Sequence, residues 1–97
     1  MFCSVSTIKC PVDLQPAYLE LRRQHVDPGM ASASGFVRRV LLRSQEAKDE
    51  LVLIVYWQSK EQATTYRQSR IHDNLRDKTT KLISGRPITR DYDILAE

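Results

Sequence analysis

The run Glu50-Leu51-Val52-Leu53-Ile54-Val55-Tyr56-Trp57 restricts what this chain can become more than any other stretch of it. From Leu51 to Trp57 every residue is apolar or aromatic, far short of the ~20 residues that a membrane helix needs, and its β-branched and aromatic content reads as a strand. Successive strand residues point to opposite faces, and an antiparallel strand covered on one side alternates apolar with polar. Here both rows are apolar: Leu51, Leu53, Val55 and Trp57 form one, Val52, Ile54 and Tyr56 the other. Helices can bury one row only. The other, left in water, is the kind of contiguous patch that monomers avoid. A second copy of the sheet packed face to face is the simplest cover, so a homodimer is expected.

The rest of the chain supplies partners for that strand. Phe2 to Lys9 reads as a first strand, stopped by Cys10-Pro11. Asp13 is positioned to cap a helix in which Leu14, Ala17, Tyr18, Leu21 and His25 recur at helical spacing, with Glu20, Arg22 and Arg23 on the outer face. Asp27-Pro28-Gly29 is expected to end it, with a loop from Met30 to Ser34. Gly35 to Ser44 is a second strand with Phe36, Arg38, Val40 and Leu42 in one row and Val37, Arg39, Leu41 and Arg43 in the other. The polar link Gln45 to Asp49 makes a hairpin to the apolar strand. Ser59 with Gln62 forms a capping box for a second helix through Ala63 and Tyr66. The polar Gln68-Ser69-Arg70 segment bends this helix before Ile71 and Leu75 carry it towards Leu82. After Gly85-Arg86-Pro87, a last strand runs from Ile88 to Leu95. The order is β-α-β-β-α-β: one α+β, ferredoxin-like domain over residues 1–97, with a four-stranded antiparallel sheet whose uncovered face is expected to pack on a second copy.

Composition narrows the function. The 41% hydrophobic and 28% charged residues are ordinary for a globular domain. A net charge of +3, with arginines dispersed among acids, does not make the basic cluster of a nucleic-acid binder, and no segment suits a membrane. The N-terminal residues lack a basic leader, and Cys3 and Cys10, seven apart on an extended strand, lie roughly 20 Å or more from each other on opposite faces. Two free thiols and no leader point to the cytoplasm. No zinc spacing, phosphate loop, nucleophile elbow or paired-carboxylate site occurs, so neither a metal nor a cofactor is expected.

At the third strand and second helix the chain reads Leu-Val-Leu-Ile-Val-Tyr-Trp57-Gln-Ser59-Lys-Glu61-Gln-Ala-Thr-Thr-Tyr66-Arg-Gln-Ser69-Arg-Ile-His72. This resembles the antibiotic-biosynthesis-monooxygenase family of dimeric α+β barrels, in which an apolar strand ends in Trp, a Ser-x-Glu helix start follows, and Ser and His lie about a dozen residues on. Gly35-Phe36 is similar to that family's Gly-Phe. The resemblance implies a pocket between sheet and helices in each protomer, and for some members oxidation of aromatic or polyketide-like substrates by molecular oxygen without metal or flavin. Other members bind and degrade haem. Trp57 matches the strand-end Trp of the anthrone-oxidising members, while their Asn and Tyr fall at Leu53 and Ala63. Against the haem-degrading members, the helix Trp falls at Tyr66, the ligating His at Arg76, and the first-strand Asn has only Ser4 and Ser6 nearby.

Several side chains follow as candidates, each with a plainer alternative. Trp57 is a candidate substrate contact or a core anchor. Tyr66, facing inward with Ala63, can touch a substrate or merely satisfy its hydroxyl. His72, just past the helix bend, is the candidate general base, with Tyr66 beside it in the catalytic set; otherwise His72 is a surface or capping residue. Arg38 interrupts an apolar row and is a candidate anion contact, or else a partner in a salt bridge at the dimer or a snorkelling edge residue. Ser59 is assigned to capping and the cysteines to packing. The expectation is a cofactor-independent monooxygenase acting on a small aromatic substrate. The alternatives are a dimeric binding or regulatory module without chemistry and, more distantly, a haem binder.

Overall fold

The computed structural model describes all 97 residues. Four strands, β1 (Phe2–Lys9), β2 (Phe36–Arg43), β3 (Glu50–Trp57) and β4 (Ile88–Asp93), form one antiparallel sheet in the order β2-β3-β1-β4. The apolar strand is therefore central. β1 pairs with it from Phe2 opposite Trp57 to Lys9 opposite Glu50. The first helical stretch comprises α1 (Gln15–Leu21), a π-helical turn (Arg22–Val26) and α2 (Asp27–Ala31); the second comprises α3 (Lys60–Arg67) and α4 (Arg70–Thr79).

The two rows of β3 separate as the pattern requires. Leu51, Leu53, Val55 and Trp57 are buried, and Val52, Ile54 and Tyr56 are half-buried. The buried row joins Phe2 and Ile8 of β1 in one cluster with Tyr18, Val26 and Met30 from the first helical stretch and Ala63, Tyr66 and Leu75 from the second. Helices thus cover one face of the sheet. On the open face, Val52, Ile54 and Tyr56 lie beside Cys3, Val5 and Thr7 of β1 and Arg38, Val40 and Leu42 of β2.

Local details depart from the pattern at four places. A register shift between Phe36 and Arg38 inserts an extra residue in β2, so Phe36 turns to the helix side, with Arg39 and Leu41, while Arg38 stays on the open face. The first helix is not stopped by Asp27-Pro28-Gly29 but runs on to Ala31. A proline inside a helix lacks a donor and presses on the carbonyl four residues back. The widened turn just before it absorbs both effects, its last N–H, that of Asp27, donating to the carbonyl of Arg22. Gly29 is left not as a helix stop but as a notch: a Cβ there would come within 2.8 Å of Ile71 Cγ2 on α4. Finally, Asp13 makes no side-chain cap; the helix start follows Pro11 through a short 3-10 turn.

The widened turn also resets the inward face of the first helix. The buried positions are Gln15, Tyr18, Arg22, Val26 and Met30, and both Ala17 and His25 are exposed. In a regular α-helix each step of four residues overshoots a full turn by about 40°, so three such steps in succession would leave the face. The π turn takes up that drift. Arg22, expected on the outer face, lies a single step of four beyond Tyr18, before the drift accumulates, and is 6% exposed.

Candidate active site

Two N-caps place the second helical stretch. Ser59 Oγ accepts from the Gln62 amide at 3.2 Å, as its spacing predicts, and Gln62 reaches back to Ser34 Oγ at 3.3 Å. Gly35 has a φ of +86°, and a Cβ there would collide with the Gln62 side chain, so glycine is required where the loop enters β2 beneath that cap. At Ser69 the bend is a complete break. Its hydroxyl donates to the Tyr66 carbonyl at 2.6 Å, and its oxygen accepts from the His72 amide at 3.2 Å, ending α3 and starting α4. His72 therefore sits in the first turn of a helix, with its ring directed back towards Tyr66.

An aromatic series results. The Phe36 and Trp57 rings meet edge-on with centroids 6.0 Å apart, Trp57 and Tyr66 are 5.4 Å apart, and Tyr66 meets His72 edge-on at 5.5 Å. Beyond Tyr66 lies a cavity of about 720 Å³ between sheet and helices. Its apolar wall includes Ile8, Val26, Met30, Leu53 and Leu75, and its polar lining includes Tyr18, Arg22, Tyr66 and His72, with the exposed Arg76 and Arg86 at its outer part.

The sequence candidates divide accordingly. Tyr66 and His72 both line the cavity. Trp57 does not: at 2% exposure it is packed behind Tyr66 as a core anchor and reaches the cavity only through that ring. Arg38 is on the far side of the sheet. Its guanidinium lies over the Tyr56 ring, 4.8 Å from the centroid, because the bulge in β2 keeps it on the open face. Arg22, by contrast, was hidden in the sequence by its apparent outward position, and it stands inside the cavity.

The polar atoms within are underused. Tyr66 Oη, His72 Nδ1, and Arg22 Nε and Nη2 are all buried without a hydrogen-bond partner. Burial holds the Tyr66 phenol above its ordinary range, with the nearby Arg22 opposing and Asp27 reinforcing, so the hydroxyl keeps its proton at neutral pH. Burial also pulls the His72 imidazole below its usual 6.5, helped by the cations of Arg76 and Arg67 and opposed by Asp73 and the Arg67 backbone. A neutral ring with an unused nitrogen is a competent proton acceptor. No group of three or more His, Cys, Asp or Glu side chains is arranged to hold a metal ion. Cys10 Sγ donates to the Leu82 carbonyl at 3.3 Å, and both cysteines are buried free thiols with pKa values raised first by burial.

The family model for antibiotic biosynthesis monooxygenases matches residues 1–78, which take in β1, β2, β3 and the helices through most of α4 and stop short of β4. The chain belongs to this family. Its fold recurs in solved structures at low identity. A Bordetella bronchiseptica protein assigned to antibiotic biosynthesis monooxygenases is 19% identical with a TM-score of 0.87, covering 98% of this chain and 97% of its own. The Mycobacterium tuberculosis protein Rv0793 is 20% identical with a TM-score of 0.79, covering 99% and 96%. The monooxygenase ActVA-Orf6 of Streptomyces coelicolor, in complex with the ligand nanaomycin D, is 18% identical with a TM-score of 0.85, covering 99% and 88%. No curated protein matches the chain. No helix is long and apolar enough to cross a membrane.

Proposed function

We propose that this family member is a cofactor-independent monooxygenase that oxidises a small planar aromatic or polyketide-like substrate in the cavity between sheet and helices. The observation that carries it is the pair of buried, unpartnered groups Tyr66 Oη and His72 Nδ1 on one cavity wall. His72 takes a proton from an activated substrate CH2, and Tyr66 donates a hydrogen bond to the oxygen onto which the negative charge spreads. The carbanion passes an electron to molecular oxygen, and the resulting radical pair combines into a substrate peroxide. Loss of water leaves a carbonyl where the CH2 stood, so one oxygen atom enters the product and the other leaves as water. The protein excludes solvent and orients the reactants. A ligand, nanaomycin D, is bound by the Streptomyces relative, which supports a small-molecule site in this fold. The half-buried Val52, Ile54 and Tyr56 support a homodimer closed through the open sheet face as the working unit, and the two free thiols support the cytoplasm as its compartment.

Oxygen uptake with an anthrone substrate in chelator-treated buffer tests this. His72→Ala lowers turnover ~100-fold or more with the fold retained. Because the imidazole is held below 6.5, the wild-type rate rises through an apparent pKa under that value and is flat above it, and the variant loses this limb. Oxygen uptake indifferent to His72→Ala refutes the role. A specific feature favours the second reading, a binding module: Leu53, which lines the cavity, and buried Ala63 stand where oxidising relatives carry polar side chains. Ligand binding without oxygen uptake would decide for it.

A further inference from the structure

Arg22 is the most costly residue in the cavity. A guanidinium is a permanent cation in proteins, and burying one without full pairing is strongly unfavourable. Of its three nitrogens only Nη1 is hydrogen-bonded, donating to Tyr18 Oη at 3.2 Å, and the ring of Tyr18 lies 5.7 Å below the guanidinium carbon. Asp27 is its one ion-pair partner. Asp27 Oδ1 stands 3.7 Å from Nη2, beyond a hydrogen bond, and the other carboxylate oxygen is taken by Arg39. One carboxylate is thus shared between two guanidinium groups, and the local charge is positive before Arg76 and Arg86 are added. The two unused atoms, Nε and Nη2, form the side edge of the guanidinium, whose parallel N–H bonds match the two oxygens of a carboxylate.

We propose that Arg22 is the anchor for a carboxylate group on the ligand, so that the substrate class is aromatic acids rather than neutral aromatics. This rests on the proposed function for the location of the ligand, but not on turnover. The carboxylate accepts from Nε and Nη2 of Arg22, the aromatic body lies against Val26, Met30, Leu53 and Leu75, and the other end of the ring system faces Tyr66 and His72. Arg22 is then a specificity residue. It fixes one end of the substrate and leaves the opposite end to the base.

Calorimetric titration of the full chain with 2-naphthoate and with its neutral isostere 2-naphthamide, without any oxidation, tests the assignment. Wild-type protein should prefer the acid by about 10- to 100-fold, the worth of a charge-assisted hydrogen-bonded pair. Arg22→Gln should abolish that preference while leaving naphthamide affinity within about twofold, whereas Arg23→Gln, at an exposed position on the next residue, should leave both unchanged. If Arg22→Gln does not fold, Arg22→Lys, which keeps the charge but loses the fork, should retain only part of the preference. Equal affinities in wild type, a preference that survives Arg22→Gln, or no acid binding at about millimolar concentration would each overturn the proposal. A protein that binds acids through Arg22 yet consumes no oxygen would refute the oxygenase and leave this assignment standing.

Discussion

The two faces of the sheet are made from alternate residues of the same strands, yet they carry opposite kinds of unfinished business. The helix-covered face is closed by side chains of its own protomer and still holds polar atoms without partners: Arg22, Tyr66 and His72. The open face has exposed Arg38 lying over Tyr56 and lacks cover for its carbon: Val52, Ile54 and Tyr56 are half-buried, with Leu42, Ile88 and Tyr92 exposed. Missing hydrogen bonds ask for a ligand with polar groups, and missing apolar contact asks for another surface. The same strand β3 serves both demands through its two rows, which is why it tolerates no polar residue between Leu51 and Tyr56.

That contrast can be broken most forcefully on β3 itself. Leu53→Asp places a charge in the helix-covered core and should abolish the folded state, seen as loss of far-ultraviolet circular dichroism. Ile54→Asp, one residue away, should keep the spectrum and shift sedimentation from dimer to monomer or aggregate. If dilute wild-type protein sediments as a stable monomer, or Ile54→Asp sediments as wild type does, the open face is not an assembly surface. A smaller effect sharpens the covered face. Ser69→Ala removes the cap between α3 and α4 and should cost about 1 kcal/mol in denaturant unfolding, with a loss of turnover in excess of the stability change because the cap also positions His72. The smallest effect belongs to Arg38. Arg38→Ala should change stability by about 0.5–1 kcal/mol through its lost contact with Tyr56 and leave ligand affinity within error, since it stands outside the cavity.

The strand order, the helix-side row of β3 and the break at Ser69 were legible in the sequence because each depends on local periodicity or a capping residue. Tyr66 and His72 were legible as a pair for the same reason: the break fixes their relation within six residues. Arg22 was not. Helical spacing sets it one step of four beyond Tyr18, at the flank of the inward face, and because charged residues are rarely buried it was assigned to the outer face. The widened turn before Pro28, which keeps Val26 and Met30 inward after Arg22, has no sequence mark beyond the proline it accommodates. The bulge that sends Phe36 and Arg38 to different faces was likewise invisible, since both rows of β2 mix apolar residues with arginine. The family resemblance, carried by the Trp57-Ser59-Glu61 stretch, pointed to the right fold and to a cavity, and to Trp57 as a contact, where the structure packs that ring behind Tyr66.

The helix break at Ser69 has a consequence for how the cavity opens. α4 is ten residues long and buries only Leu75, and it begins at a cap rather than continuing the helix before it. Its unfolding releases little apolar area and leaves Tyr66, on α3, in place. Local opening free energies follow such buried contacts, so the wall made of His72, Leu75, Arg76 and Thr79 is the cheapest part of the enclosure to fluctuate, well before the β1–β3 centre yields. The amides of α4 should therefore exchange without global unfolding, and each such excursion carries the His72 ring away from Tyr66 while Arg22, on the other helical stretch, stays in place.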